Sequence, residues 1–253
     1  MWAYSFETGG ICEYNKSACG YYRGSSGIGL ATARLLAESG AAVTIAGRQQ
    51  TRVDAALEQL HAWQLDIEGA VVDATSTEAL RDFFWQVGSM DHLVLSLSGG
   101  EGQGEFRTLD LAALRRGFEA KFWPCLFAAQ ASLHTLRADG SLTFVTAASA
   151  RTSIAGTAGL AAINGALNAT IPTLALELKP LRVNAVSPGV IRTAWWDKMP
   201  AEARENYFAH MASHLPVQRV GQAEDVAQAI QFLITNSFMT GCIIDCDGGA
   251  RIH

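Results

Sequence analysis

Residues 24–48 read GSSGIGLATARLLAESGAAVTIAGR. Gly24, Ser25, Ser26, Gly27, Ile28 and Gly29 form a glycine-rich loop that runs into the helical pattern Leu30-Ala31-Thr32-Ala33-Arg34-Leu35-Leu36. Glycines ahead of a helix let backbone N–H groups approach a phosphate, and the helix dipole favours the anion. The apolar run Ala41–Ala46 follows and ends in Gly47-Arg48. Arg48 lies 19 residues beyond Gly29, a spacing that suits the group reading an adenosine ribose. An acid there would favour NAD. A guanidinium can instead pair with a 2′-phosphate, so Arg48 points to NADP(H), the alternative being a solvated turn residue.

The same rhythm continues on both sides of this stretch. Apolar runs at Ala41–Ala46, Gly69–Ala74, His92–Leu97, Ser141–Ala147, Leu181–Ser187 and Gly241–Cys246 read as strands covered on both faces. Helical patterns fall at about 28–39, 52–63, 77–88, 108–137, 157–178 and 223–235. Strand–helix alternation predicts one doubly wound α/β (Rossmann) domain, a seven-stranded parallel sheet with helices on both faces. Ligands then bind at the carboxyl ends of the strands. The segment 194–215 breaks the rhythm with Trp195, Trp196, Met199, Tyr207, Phe208 and Met211, and reads as a lid or as an amphipathic helix packed on the body or on another subunit.

Composition narrows the function classes. The 253 residues carry 19 Lys and Arg against 24 Asp and Glu, a net charge of −5, which argues against nucleic acid or an anionic membrane as partner. No run approaches 18 apolar residues, so no membrane span is expected, and MWAYSFETGG lacks the features of a secretory signal. Cys12, Cys19, Cys125, Cys242 and Cys246 are odd in number and contain no CxxC, as expected of reduced thiols in a cytoplasmic protein. No metal site is expected: His210 and His214 are spaced i, i+4, but no third ligand joins them at convincing spacing.

At this level of detail the chain resembles the short-chain dehydrogenase/reductase family. The resemblance rests on residues 24–48, on RVNAVSPGVIRT (182–193) and on PVQRVGQAEDVAQAIQFLITNSFMTGCIIDCDGGA (216–250), and it covers 24–250. It implies that Thr193 and the backbone around Pro188, Gly189 and Ile191 hold the nicotinamide end of NADP(H), and that Asp73 and Ala74 meet the adenine. Ser96-Leu97-Ser98-Gly99 stands where the family usually has Asn-Asn-Ala-Gly, so the backbone around Ser98 would line the cofactor without the usual side chains. It further implies a homodimer or homotetramer, with interfaces on the last strand and the helices at 108–137 and 157–178. Residues 1–23 depart from the pattern as an atypical segment with an unfavourable first strand. Arg23 stands where the loop's first glycine should be, and the mismatch ends abruptly at Gly24, as a shifted reading frame would leave it; the alternatives are divergence with a poor first strand that still pairs, and an Arg23 that helps bind phosphate.

The resemblance also exposes a loss. Family members transfer hydride between a nicotinamide and a carbonyl or alcohol, using a Tyr four residues before a Lys, a Ser and an Asn. In this chain those positions are Leu160, Asn164, Ala147 and Lys121. Lys121 is the leading replacement: at depth beside the nicotinamide, a lysine can serve as acid or as oxyanion partner. Ser149, two residues from the lost Ser, could hydrogen-bond a substrate oxygen, and Asn164 could position a ligand. Tyr207 on the lid is a weaker proton donor. Two functions stand: an NADP(H)-dependent oxidoreductase acting on a small molecule with an apolar body, or a catalytically inactive nucleotide-binding sensor or scaffold.

Overall fold

The computed structural model describes the backbone of residues 18–22 and all of residues 25–252. Seven parallel strands form one sheet: β1 (Ala18–Tyr22), β2 (Ala42–Gly47), β3 (Ile67–Val71), β4 (Met90–Leu95), β5 (Leu136–Val145), β6 (Arg182–Pro188) and β9 (Ile243–Cys246). Their order is β3-β2-β1-β4-β5-β6-β9, so the direction of winding reverses between β1 and β4. The unfavourable first strand does form. It pairs in parallel with β2 (Ala18 beside Ala42) and with β4 (Cys19 beside His92), at the middle of the sheet. The segment boundary expected at 23/24 lies outside the described residues.

Period-two alternation along the strands builds two cores. On one face Leu93, Leu95, Leu142, Phe144, Val183 and Ala185 pack against α3 (Thr77–Val87), α5 (Phe122–Ser132) and α6 (Ala158–Glu177). On the other, Val43, Ile45, Val94, Val145 and Val186 pack against α1 (Gly27–Glu38), α2 (Gln50–Ala62) and α8 (Ala223–Thr235). Among the described residues α6 is the one helix long and apolar enough to cross a membrane by length and composition. Its Leu167 and Ile171 are fully buried in the first core. Arg182, at the start of β6, donates to the carbonyls of Leu233, Ile234, Asn236 and Met239 and so closes the C-terminal end of α8.

Two expectations need correction. The helix read at 108–137 is two helices, α4 (Leu111–Ala120) and α5, broken at Lys121, and the residues from Leu136 onward belong to β5. Pro124 causes the break: it has no N–H for the carbonyl of Ala120, and its ring would clash with that carbonyl in a continuous helix. Several strand ends also shift by two residues or more; β4 spans Met90–Leu95 and not His92–Leu97, and β3 spans Ile67–Val71 and not Gly69–Ala74. Inserted after β6 are β7 (Ile191–Arg192), a 3-10 turn at Ala194–Trp196, α7 (Ala201–His214) and β8 (Gly221–Gln222). β7 and β8 pair in parallel, Ile191 beside Gly221, and tie the two ends of the insertion together.

Candidate active site

The candidate site lies at the carboxyl ends of β1, β2, β4, β5 and β6. The loop after β1 leads into α1 through Ser26, whose backbone is extended, whose side chain caps nothing, and whose helix has no acid in its first turn. The dipole at this end is therefore uncompensated by side chains, as an anion site requires. Gly27 sits at φ +54°, in the left-handed region, and a methyl group there would stand 3.2 Å from the Thr193 methyl. The glycine thus lets the phosphate loop and the loop after β6 meet. Gly24 lies outside the described residues, while Ser25, Gly27, Ile28 and Gly29 lie on this turn.

At the far end of the groove, Arg48, Asp73, Ala74, Leu97 and Pro124 line one small cavity. The backbone N–H of Thr75 (3.0 Å) holds the Asp73 carboxyl below the usual carboxylate range against the opposing effect of burial; the Thr75 hydroxyl (2.9 Å) and the Arg48 charge add to it. The residues expected to read the ribose and the adenine are thus brought together. At the other end, Gly189 packs so closely on Asp247 that a methyl group would stand 2.8 Å from its Cα. Ile191 is buried and offers its carbonyl to Trp196 Nε1 at 2.9 Å. Thr193 Oγ1 accepts from the Trp195 N–H at 3.4 Å. Ser98 is exposed on the loop after β4. A groove with an uncapped helix start, a guanidinium at one end and the Pro188–Thr193 backbone at the other fits a dinucleotide phosphate.

The groups expected to do chemistry converge. Lys121, in the break between α4 and α5, is 7% exposed. Its Nζ donates to Asn164 Oδ1 at 2.7 Å and to the Thr146 carbonyl at 3.2 Å. The other side of the Asn164 amide donates to the Leu160 carbonyl (2.9 Å) and to Ser149 Oγ (3.4 Å). A chain of polar atoms therefore runs from Lys121 through Asn164 to Ser149, with Ala147 and Leu160 leaving an apolar surface beside it. The ammonium comes from the α4–α5 break and the amide from α6.

The inserted segment reaches the loop after β4. Phe208, 2% exposed, anchors α7. Trp196 packs on Tyr207 and Phe208 with ring centroids 4.9 and 5.7 Å away, and on Trp195 at 4.5 Å. Burial pushes the Tyr207 hydroxyl above its ordinary pKa, and the ring belongs to this cluster. Trp195 Nε1 reaches the Gly99 carbonyl at 3.4 Å and so joins the insertion to the loop after β4. Three features escaped the sequence: this bridge, the Thr146 carbonyl and the helix break. Only the last had a sequence signal, Pro124. The His210 and His214 rings are tilted at 48° with centroids 4.3 Å apart, and the described residues hold no cluster of three potential metal ligands.

Residues 23–251 match the family model described as enoyl-(acyl carrier protein) reductase. The chain is a short-chain dehydrogenase/reductase. A cis-4-hydroxycyclohexanecarboxylate dehydrogenase of Sinomonas cyclohexanicum is 35% identical over 238 residues, 89% of this chain and 92% of that protein. A small-chain dehydrogenase solved with NADPH is 33% identical, with TM-score 0.83 over 94% of this chain and all of that one. An NADPH-bound short-chain oxidoreductase from Pseudomonas aeruginosa PAO1, described as containing an atypical catalytic centre, is 27% identical, with TM-score 0.87 over 94% of this chain and 97% of that one.

Proposed function

We propose that this short-chain dehydrogenase/reductase is an NADPH-dependent oxidoreductase of carbonyl or alcohol substrates in which Lys121 takes the place of the lost tyrosine. The observation that carries the reading is the 2.7 Å contact of Lys121 Nζ with Asn164 Oδ1, which keeps a buried cation in the site. NADPH, when bound, supplies the hydride. The phosphate loop from Gly24 to Gly29 holds its pyrophosphate, Arg48 its 2′-phosphate, Asp73 and Ala74 the adenine end. The backbone around Ser98 and at Pro188, Gly189 and Ile191, with Thr193, holds the nicotinamide end. NADPH in two related structures supports that cofactor.

Lys121 holds a proton on Nζ and gives it to the substrate oxygen as the carbonyl carbon is reduced. Asn164 orients the ammonium through its carbonyl oxygen and presents its amide to Ser149, whose hydroxyl can reach the same substrate oxygen. Ala147 and Leu160 offer an apolar wall, and the aromatic insertion closes as a lid that excludes water. The substrate is a small molecule with an apolar body. The named substrate of the Sinomonas relative, a ring alcohol, belongs to that class. The assembly is a homotetramer or homodimer. That reading is supported by the exposed Trp123, Leu133 and Leu176 on the α5–α6 side and Phe232 and Phe238 near β9. Cys242 and Cys246, thiols without a disulfide among the described residues, support a reducing, cytoplasmic location.

Titration of the purified protein with NADPH and with NADH, followed by nicotinamide fluorescence, is the first test, and a carbonyl screen with NADPH the second. Tight, NADPH-selective binding with turnover that Lys121→Met removes supports the reading. Tight binding without turnover on any carbonyl replaces it with the nucleotide-binding sensor or scaffold.

A further inference from the structure

The lid brings a second lysine to the mouth of the site. Lys198 follows the 3-10 turn that carries Trp195, and a methyl group built on Gly100 would stand 3.7 Å from its Nζ. Gly100 adjoins Gly99, which receives the Trp195 Nε1–H, and a methyl group on Gly99 would stand 3.6 Å from Lys121 Cβ. Two adjacent glycines therefore lie between the Lys121 Cβ and the Lys198 ammonium.

Charge pairing singles out Lys198. Asp197 beside it is taken by Arg204 at 2.7 Å, and Glu101 on the facing loop by Arg116 at 2.7 Å. Arg192 is paired with Glu205 at 2.7 Å and Arg151 with Asp245 at 3.4 Å. Lys198 Nζ has no ion pair and no hydrogen bond among the described residues, in a chain whose net charge is −5. An acidic protein that leaves an ammonium unpaired where its lid meets its substrate loop offers that charge to something from outside. An apolar surface lies nearby, since Trp195, three residues before it, is 37% exposed.

We infer that Lys198 is the specificity-determining residue for a carboxylate on the substrate. The substrate class is then an oxo acid or its hydroxy acid, with the reacting carbonyl at the Lys121 end, an apolar body over Leu160 and Trp195, and the carboxylate at Lys198. This inference deepens the oxidoreductase reading and rests on it for the reacting end alone. A lysine presents a compact charge that one carboxylate oxygen can meet without bidentate geometry.

The test compares 4-oxocyclohexanecarboxylate with 4-oxocyclohexanecarboxamide, two ligands of one shape that differ in charge. Binding to the NADP⁺-saturated protein is read by calorimetry, and kcat/KM with NADPH is read beside it. A charged hydrogen bond predicts about a tenfold preference for the carboxylate. That preference should fall toward one in Lys198→Gln, reverse in Lys198→Glu and return in Lys198→Arg. Equal binding of the two ligands by the unaltered protein, or a preference that survives in Lys198→Gln, overturns the inference. Selective, Lys198-dependent binding without turnover supports the inference and overturns the oxidoreductase reading. Turnover of both ligands without selectivity does the reverse.

Discussion

If the Lys121 ammonium and the Asn164 amide act as a pair, exchanging them should preserve the site better than either single change. Lys121→Asn removes the buried cation and leaves the Thr146 carbonyl and Asn164 without their donor. Each unsatisfied buried partner costs about 1–3 kcal/mol of stability. Loss of the proton donor costs about 10²–10⁴ in rate, or about 3–5 kcal/mol of transition-state stabilisation. Asn164→Lys alone sets a second ammonium beside the first, where the Asn164 oxygen now lies 2.7 Å from Nζ. Two unit charges about 4 Å apart repel by about 4 kcal/mol at an effective dielectric constant of 20. The double variant carries one ammonium and one amide again, now with the cation on α6. Its expected behaviour is a favourable coupling of about 1.5–3 kcal/mol in urea unfolding and recovery of at least tenfold in kcat/KM over Lys121→Asn. Both are measured on the same preparations, with single-turnover reduction of a carbonyl substrate by NADPH as the rate assay. A Lys121→Asn protein that turns over at the parent rate would remove Lys121 from the chemistry. A double variant no better than the worse single would show that the contact is packing without exchange of roles.

Three further outcomes follow from other parts of the molecule. Arg48→Asp should weaken NADPH binding by tenfold or more while affecting NADH little; equal effects in paired fluorescence titrations would take the 2′-phosphate away from Arg48. Arg182→Met should lower stability by about 2–4 kcal/mol in urea unfolding, because four carbonyls at the end of α8 lose one shared donor; a change below 0.5 kcal/mol, on the order of an ordinary surface substitution, would mean that water replaces it. Burial pushes the His92 imidazole down to about 4 despite the opposing Asp91 carboxylate. The unfolded chain therefore takes up this proton first as pH falls: the contribution is complete above about pH 6.5, shrinks toward pH 4 and totals roughly 3 kcal/mol. His92→Gln should flatten the unfolding free energy across that window, and an unchanged slope would place the acid sensitivity elsewhere.

The fold was legible because its signals are local and repeated. Apolar runs such as Ala41–Ala46 and Leu181–Ser187 have the length and composition of strands buried on both faces, and the glycine loop marks where a helix must start on an anion. The convergence of Arg48 with Asp73 and Ala74 was legible for a related reason: they lie just beyond strand ends, and parallel strands deliver their ends to one edge of the sheet. Strand boundaries were less so. The residues around Gly140 carry polar groups that blur the strand pattern, yet Gly140 lets β5 press against the Asp91 carbonyl, where a side chain would collide. The bridge from Trp195 to Gly99 joins residues 96 positions apart through a backbone oxygen, and a carbonyl acceptor leaves no residue type to recognise.

The helix break at Lys121 shows how one unread residue decides a site. In a continuous helix over 108–137, a lysine at 121 would project from a regular turn, its direction fixed by the turns on either side. Pro124 forbids the hydrogen bond that would join the two halves, and Lys121 adopts φ −130° and ψ −59°, outside the helical region. Its N–H still reaches the Gly117 carbonyl at 3.2 Å, and its carbonyl accepts from Cys125 at 3.1 Å, so the break costs little backbone pairing. What it changes is the side chain, whose ammonium lies buried against Asn164 and Thr146. The proline therefore does for Lys121 what no choice of lysine rotamer on an intact helix guarantees. The ammonium meets Asn164 and the Thr146 carbonyl because the backbone at this point turns the side chain toward them.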